Sequence, residues 1–120
     1  MCIDYRKINE VTKRDAFPHL RIDDALDALS GSTTYCTMDL AKVLYQIPVS
    51  STDIDKTAFV THEGNFKFLT MPFGLCNAPA TFQRLIFGVL EGLLGQKCLS
   101  YIDDIQIFGC NELECLARLR

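Results

Sequence analysis

Leu99-Ser100-Tyr101-Ile102-Asp103-Asp104-Ile105-Gln106-Ile107-Phe108 sets two apolar, β-prone runs around a pair of adjacent aspartates. Runs of this length and composition predict strands over Leu99 to Ile102 and Ile105 to Phe108, with Asp103-Asp104 at a tight turn between them. Aspartate has poor strand propensity and like charges side by side repel, so the pair needs a reason to sit there. A simple hairpin turn is the commonest reason. A divalent cation that offsets the repulsion is the other. A third carboxylate, Asp39, lies in a further strand-like run, Tyr35-Cys36-Thr37-Met38-Asp39-Leu40, and stands beside the tip if that strand neighbours the hairpin. Three carboxylates converging on one sheet edge suit Mg²⁺, a hard ion that prefers oxygen ligands and shares its sites with phosphates.

Outward from the hairpin, the chain alternates helix and strand signals. Met1 to Arg6 reads as a short strand. Ile22, Leu26 and Leu29 recur on one helical face over residues 22–29, and Gly31 can end that helix as the residue after its cap. Thr34 to Leu40 is rich in β-formers, and Ala58 to Thr61 with Phe66 to Thr70 reads as a hairpin turning at Glu63-Gly64. Asn77-Ala78-Pro79 is a helix start, with a capping side chain and then a proline where its missing N–H costs little. An apolar stripe from Phe82 to Leu94 follows it, interrupted by Gly88 and Gly92, until Gly95. Asn111 is placed to cap a last helix whose Leu116 and Leu119 need a partner. This order predicts an α+β fold. With no internal repeat, low-complexity tract or Gly/Ser linker, residues 1–120 read as one domain.

A length of 120 residues and 48% hydrophobic content fit one small globular core. No apolar run reaches the roughly 18–20 residues of a membrane span, and the start lacks a signal-peptide layout, so an intracellular chain without a membrane partner is expected. The six cysteines include no C-x-x-C pair, and His19 and His62 stand far from most of them. Zinc spacing is therefore poor, and buried free thiols are expected. Net charge is −3, divided into +2 over the first 21 residues and −5 over the rest. The basic start is compatible with a template contact, although a solvated charged face is the commoner explanation for such a run.

The motifs together resemble the fingers–palm segment of a reverse transcriptase from a gypsy-type LTR retrotransposon, part of a Pol polyprotein. The resemblance rests on Asp4-Tyr5-Arg6-Lys7-Ile8-Asn9, Thr37-Met38-Asp39-Leu40-Ala41, Gln46-Ile47-Pro48-Val49, Lys56-Thr57-Ala58-Phe59, the long run Met71 to Gln83, and Tyr101-Ile102-Asp103-Asp104. It implies a right-hand polymerase fold with an antiparallel palm sheet, packing helices and no thumb within these residues. By the same resemblance, Asp39, Asp103 and Asp104 are the catalytic acidic cluster and hold two Mg²⁺ ions, or Mn²⁺ as a substitute, with the Leu40 carbonyl assisting. Ala41 and Lys42 would offer backbone amides to a triphosphate. Phe73 and Gly74 would line the incoming nucleotide. Asp4, Arg6, Pro79 and Gln83 would serve the template side.

Departures from the family pattern matter as well. Lys42, Val43 and Leu44 stand where a small polar residue, a glycine or alanine, and an aromatic are usual. Leu44 thus replaces the ring that would exclude a ribose 2′-hydroxyl, and Tyr45 follows where a shifted register could compensate. Gln106 replaces an apolar residue in the strand after the aspartates, and a buried amide there needs partners.

The resemblance implies RNA-directed DNA synthesis, with dNTPs, an RNA or DNA template with its primer, and the rest of the polyprotein (thumb and RNase H) as partners. An active parent would work in a cytoplasmic virus-like particle. The family's upstream tryptophan and basic residue, remaining palm, primer-gripping hairpin and thumb are expected outside this chain, so the isolated chain is expected to have little processive activity. The alternative is a non-catalytic remnant acting at most as a nucleic-acid-binding or interaction module. A small metal-dependent nuclease would also use clustered carboxylates, but no histidine stands near either aspartate motif as a base.

Overall fold

In the computed structural model, which describes residues 3–18 and 21–120, helices and strands follow one another as the α+β reading expects. The order is α1 (Arg6–Val11), α2 (Ile22–Leu29), β1 (Thr34–Asp39), 3₁₀ turns at Val43–Gln46 and Ile54–Thr57, β2 (Phe59–Thr61), β3 (Gly64–Phe66), α3 (Ala78–Val89), β4 (Cys98–Tyr101), β5 (Asp104–Gly109) and α4 (Glu112–Arg118). The chain divides into two compact units. The first combines Met1–Ala16 with Lys42–Phe82, the second Phe17–Ala41 with Gln83–Arg120, and the division falls inside α3.

The second unit is built on an antiparallel sheet of order β1-β5-β4. One sheet face supplies Cys98, Ile105 and Ile107, which pack with Cys115 of α4 and with Cys36, Leu40, Leu90 and Leu94. Fully burying one isoleucine contributes about 1.5–3 kcal/mol, so this face holds the sheet together. The β4–β5 loop is Ile102-Asp103, one residue earlier than the expected Asp103-Asp104, and Asp104 opens β5.

At the far end of β5 the Asn111 side chain accepts the Glu114 N–H at 2.9 Å, as a helix cap should. The Glu114 carboxylate accepts the Cys110 N–H in return. A Cβ on Gly109 would stand 3.1 Å from the Cys115 nitrogen, so the reversal from β5 into α4 needs a glycine or a shift of backbone. Leu116, expected to need a partner, is exposed. Cys98 and Cys115 are buried as expected of free thiols, whereas Cys110, on the turn before α4, is exposed. Cys2 lies outside the described residues.

In the first unit, the expected strand over Met1 to Arg6 is not what forms. Met1 and Cys2 lie outside the described residues; residues 3–5 are irregular and Arg6 opens α1. The reason is anchoring by side chains. Tyr5, 4% exposed, donates its hydroxyl to the Thr57 carbonyl, and Asn9 donates to the Gly74 carbonyl while accepting the Cys76 N–H. Asn77, expected as a cap, instead accepts from the Asp15 N–H and donates to the Lys13 carbonyl.

The second hairpin also shifts. Its loop is His62-Glu63, and β3 ends at Phe66 because the following chain leaves to pair elsewhere. Val49 donates to the Leu69 carbonyl and Met71 to the Ile47 carbonyl. α3 stops at Val89 rather than running to Gly95, since Gly92 (φ +80°) takes a left-handed conformation that no helix continues.

Thr57 joins these pieces. Its hydroxyl donates to the Ile54 carbonyl at 2.7 Å and accepts the Phe68 N–H at 2.9 Å, at 3% exposure. Thr57→Val keeps the shape and removes both bonds, leaving the part-buried Phe68 N–H unpaired. We expect a loss of about 2 kcal/mol in urea unfolding; a loss under about 0.5 kcal/mol would mean that water replaces the hydroxyl.

Candidate functional site

β1 and β5 bring Asp39 directly opposite Asp104, and β4 places Tyr101 opposite Asp104 on the other side. Directly opposed residues project from the same sheet face with Cβ atoms about 4.5–5.5 Å apart. Asp39, Asp104 and Tyr101 therefore leave one face, the one turned away from the Cys98–Ile105–Ile107 core. Asp103 sits in the adjoining loop, and its carbonyl accepts the Leu40 N–H at 3.0 Å, tying the end of β1 to the turn. All three carboxylates are exposed.

The predicted trio is thus brought to one sheet edge. Among the described residues, however, no three His, Cys, Asp or Glu side chains are gathered into a finished cation cage. Exposed like charges turn apart into water, so gathering them requires something positive. The chemistry of the donors fits a hard divalent ion, since all three are carboxylates with a backbone carbonyl at Leu40 nearby in sequence.

The turn carries strain. Ile102 has φ +49°, a left-handed conformation that is costly for a β-branched residue, about 1–2 kcal/mol. A two-residue hairpin loop matches the twist of its strands when its first residue has positive φ, which glycine normally supplies. Beside the turn, Thr37, Leu99, Tyr101, Asp104 and Gln106 face the apolar side of α2 across a cleft of about 450 Å³. Gln106 is half-buried there, so the expectation of a buried amide is corrected: the cleft leaves it room for water.

Residues read as nucleotide-facing divide between exposed and buried. Ala41 and Lys42 are exposed, Lys42 with φ +55°. Leu44 is 8% exposed in the Val43–Gln46 turn, so its side chain belongs to the interior and offers a ligand little surface. Tyr45 is the exposed ring of that turn. It meets Phe73 edge-on at 5.4 Å between centroids, and Phe73 is 55% exposed. Gly74 follows with φ +97°, where a side chain would be strained.

The template candidates behave differently again. Asp4 and Arg6 bind each other, with Arg6 Nη2 2.6 Å from Asp4 Oδ2 and Nε 2.9 Å from Oδ1. That hydrogen bonding, helped by the Arg6 backbone N–H, pulls the Asp4 carboxyl from the usual 3.8 down to about 2. Pro79 is exposed in the first turn of α3. Gln83, read as serving the template side, is 1% exposed, so its amide is sealed from solvent in this chain.

Asn9 was legible only as part of a motif, yet it holds the loop after Phe73 at Gly74 and Cys76. The missed signal was an asparagine inside a helix, unfavourable unless its side chain is needed elsewhere.

A family model described as reverse transcriptase (RNA-dependent DNA polymerase) matches residues 1–120. The Pol polyprotein of transposon 297 from Drosophila melanogaster is 47% identical over 114 residues, 95% of this chain and 11% of that protein. That of transposon gypsy from the same fly is 38% identical over 112 residues, covering 93% and 11%. An RNA-directed DNA polymerase homolog from Oenothera berteroana is 40% identical over 108 residues, covering 90% and 76%. The chain therefore spans about a tenth of the transposon polyproteins it matches. In fold it is similar to a foamy viral protease–reverse transcriptase solved with an RNA/DNA hybrid, at a TM-score of 0.83 and 24% identity over 97% of this chain and 16% of that one.

Two measurements check this site. Asp104→Asn removes a like charge facing Asp39, so in EDTA the variant should gain about 0.5 kcal/mol of stability; unchanged or lower stability would mean that the carboxylates do not oppose each other. For Asp4 the folded pKa lies below the unfolded one, so its contribution is present above pH 3.8 and is lost as pH falls through about 2. An NMR titration should find that midpoint near 2, and Arg6→Ala should return it towards 3.8.

Proposed function

Because the chain belongs to the reverse transcriptase family, we propose that it supplies the acidic, nucleotide-facing part of an RNA-directed DNA polymerase from a gypsy-type retrotransposon. The observation that carries this reading is the register that sets Asp39 against Asp104, with Asp103 tied to Leu40 at the same edge.

On this reading Asp39, Asp103 and Asp104 hold two Mg²⁺ ions, with Mn²⁺ as a substitute and the Leu40 carbonyl as a neutral donor. Such a pair, when bound, activates a primer 3′-hydroxyl and stabilises the leaving pyrophosphate. Everything else in the proposal concerns the chain's own groups. The amides of Ala41 and Lys42 receive triphosphate oxygens, since any residue but proline offers an N–H. The exposed Phe73 ring and the side-chain-free Gly74 border the nucleotide. Tyr45 takes the place beside the sugar that the buried Leu44 does not fill. Arg6 and Pro79 border the template, with Asp4 orienting the Arg6 guanidinium. An RNA/DNA hybrid, the partner of the foamy viral neighbour, is the proposed ligand; dNTPs, thumb and RNase H complete the machine, and a cytoplasmic particle is its proposed setting.

The run Lys42-Val43-Leu44 favours a second reading, a remnant that binds nucleic acid without extending a primer. One experiment separates the two. In a complete polymerase that includes this chain, Mg²⁺ and dNTPs should support primer extension, and Asp39→Asn or Asp103→Asn should lower it by about a thousandfold while hybrid binding persists. Hybrid binding without extension by the unaltered enzyme would establish the remnant. The 120-residue chain alone should extend a primer poorly at best.

A further inference from the structure

Two polar side chains of the second unit are sealed from solvent without a hydrogen-bond partner. Gln83, in the part of α3 that belongs to this unit, is 1% exposed, and neither its Nε2 nor its Oε1 is bonded. Ser100, on β4, is 2% exposed and its Oγ is likewise unbonded. Buried polar atoms are nearly always satisfied by protein or by ordered water, so each calls for a partner.

The fold turns both towards the same layer. Helical periodicity puts Gln83 two turns before Leu90 on one stripe, with buried Ile86 between them. Leu90 and Leu94 at the end of that stripe pack against Cys98, Ile105 and Ile107. On β4, alternation gives Ser100 the same sheet face as Cys98, and it pairs across the sheet with Ile105 of that cluster. The chain reverses between Leu90 and Cys98, where Gly95 donates to the Cys98 carbonyl and Cys98 to the Leu93 carbonyl. Moving back along α3 and forward along β4 therefore leads the same way, to Gln83 on one side and Ser100 on the other.

The two side chains do not bond each other directly, yet their demands are complementary. The amide offers two N–H donors and one carbonyl, the hydroxyl one donor and its lone pairs. A buried water needs two to four polar partners, and these atoms supply them. We propose that Gln83 and Ser100 hold one ordered water inside the second unit, tying β4 to α3 just before Tyr101 and the strained Ile102-Asp103 loop. The inference does not depend on the polymerase reading, because it concerns the core behind the hairpin and not the ligands in front of it.

The test uses the full 120-residue chain labelled with ¹⁵N. The Gln83 side-chain amide should give cross-peaks to a long-lived water, and Ser100→Ala should abolish them. In urea, Gln83→Met and Ser100→Ala should each lower the midpoint, while the double variant is no less stable than the worse single one, because the water and both its hosts have then gone together. Additive losses, or a Gln83 amide without a bound-water signal in the unaltered chain, would overturn the proposal. Should a variant fail to fold, the spectrum of the unaltered chain decides alone.

Discussion

Asp39 faces Asp104 across an antiparallel pair, and the second unit is organised around tolerating that opposition. Like charges directly opposite cost up to about 1 kcal/mol, and the left-handed Ile102 adds about 1–2 kcal/mol. Neither cost is relieved on the exposed face. They are offset behind it, where Ile105, Ile107, Cys98 and Cys115 bury their side chains and the Leu40 N–H bonds the Asp103 carbonyl. Breaking local rules at one edge while obeying them in the adjoining core is the usual pattern at a functional site. The sheet can present repelling carboxylates because the strands bearing them are held from the opposite side.

The first unit follows the same division. Its exposed Phe73 and Gly74 stand on a loop, yet the loop is fixed from behind by Asn9, and Asn77 secures the chain just beyond it. Tyr5 and Thr57 complete the scaffold, each bonding backbone far away in sequence. Small polar side chains do this work because loop backbone lacks ladder partners and its N–H and C=O groups must be satisfied individually. Aromatic surface in front and polar staples behind let a loop be both accessible and ordered.

What was legible in the sequence follows from this division. α2 ends at Leu29 with Gly31 after its cap, and α4 starts after Asn111, because caps and left-handed glycines are local signals. The aspartate trio was legible for a related reason: carboxylates in apolar strands contradict their surroundings. Less visible was anything decided at long range. Residues 69–71 look like a continuation of β3, but they pair with residues 47–49. Arg6, read as the end of a strand over Met1 to Arg6, opens the helix Arg6–Val11 instead, because Tyr5 and Asn9 have partners more than fifty residues away. Leu44 and Gln83 were read from their motifs, and their burial is something no motif reports.

Exposure of the three carboxylates bears on how the proposed site would be filled. Water screens each charge, so a cation meeting them alone exchanges good hydration for only a few ligands, and Mg²⁺ dehydrates reluctantly. A triphosphate alone meets carboxylates that repel it. Together the two would remove each other's difficulty, since phosphate oxygens would complete the cation's shell and the cation would screen phosphate from Asp39, Asp103 and Asp104. Linkage makes this reciprocal: whatever factor the nucleotide adds to cation affinity, the cation adds to nucleotide affinity. Carboxylates exposed along one sheet edge would therefore suit a cation that arrives with its phosphate.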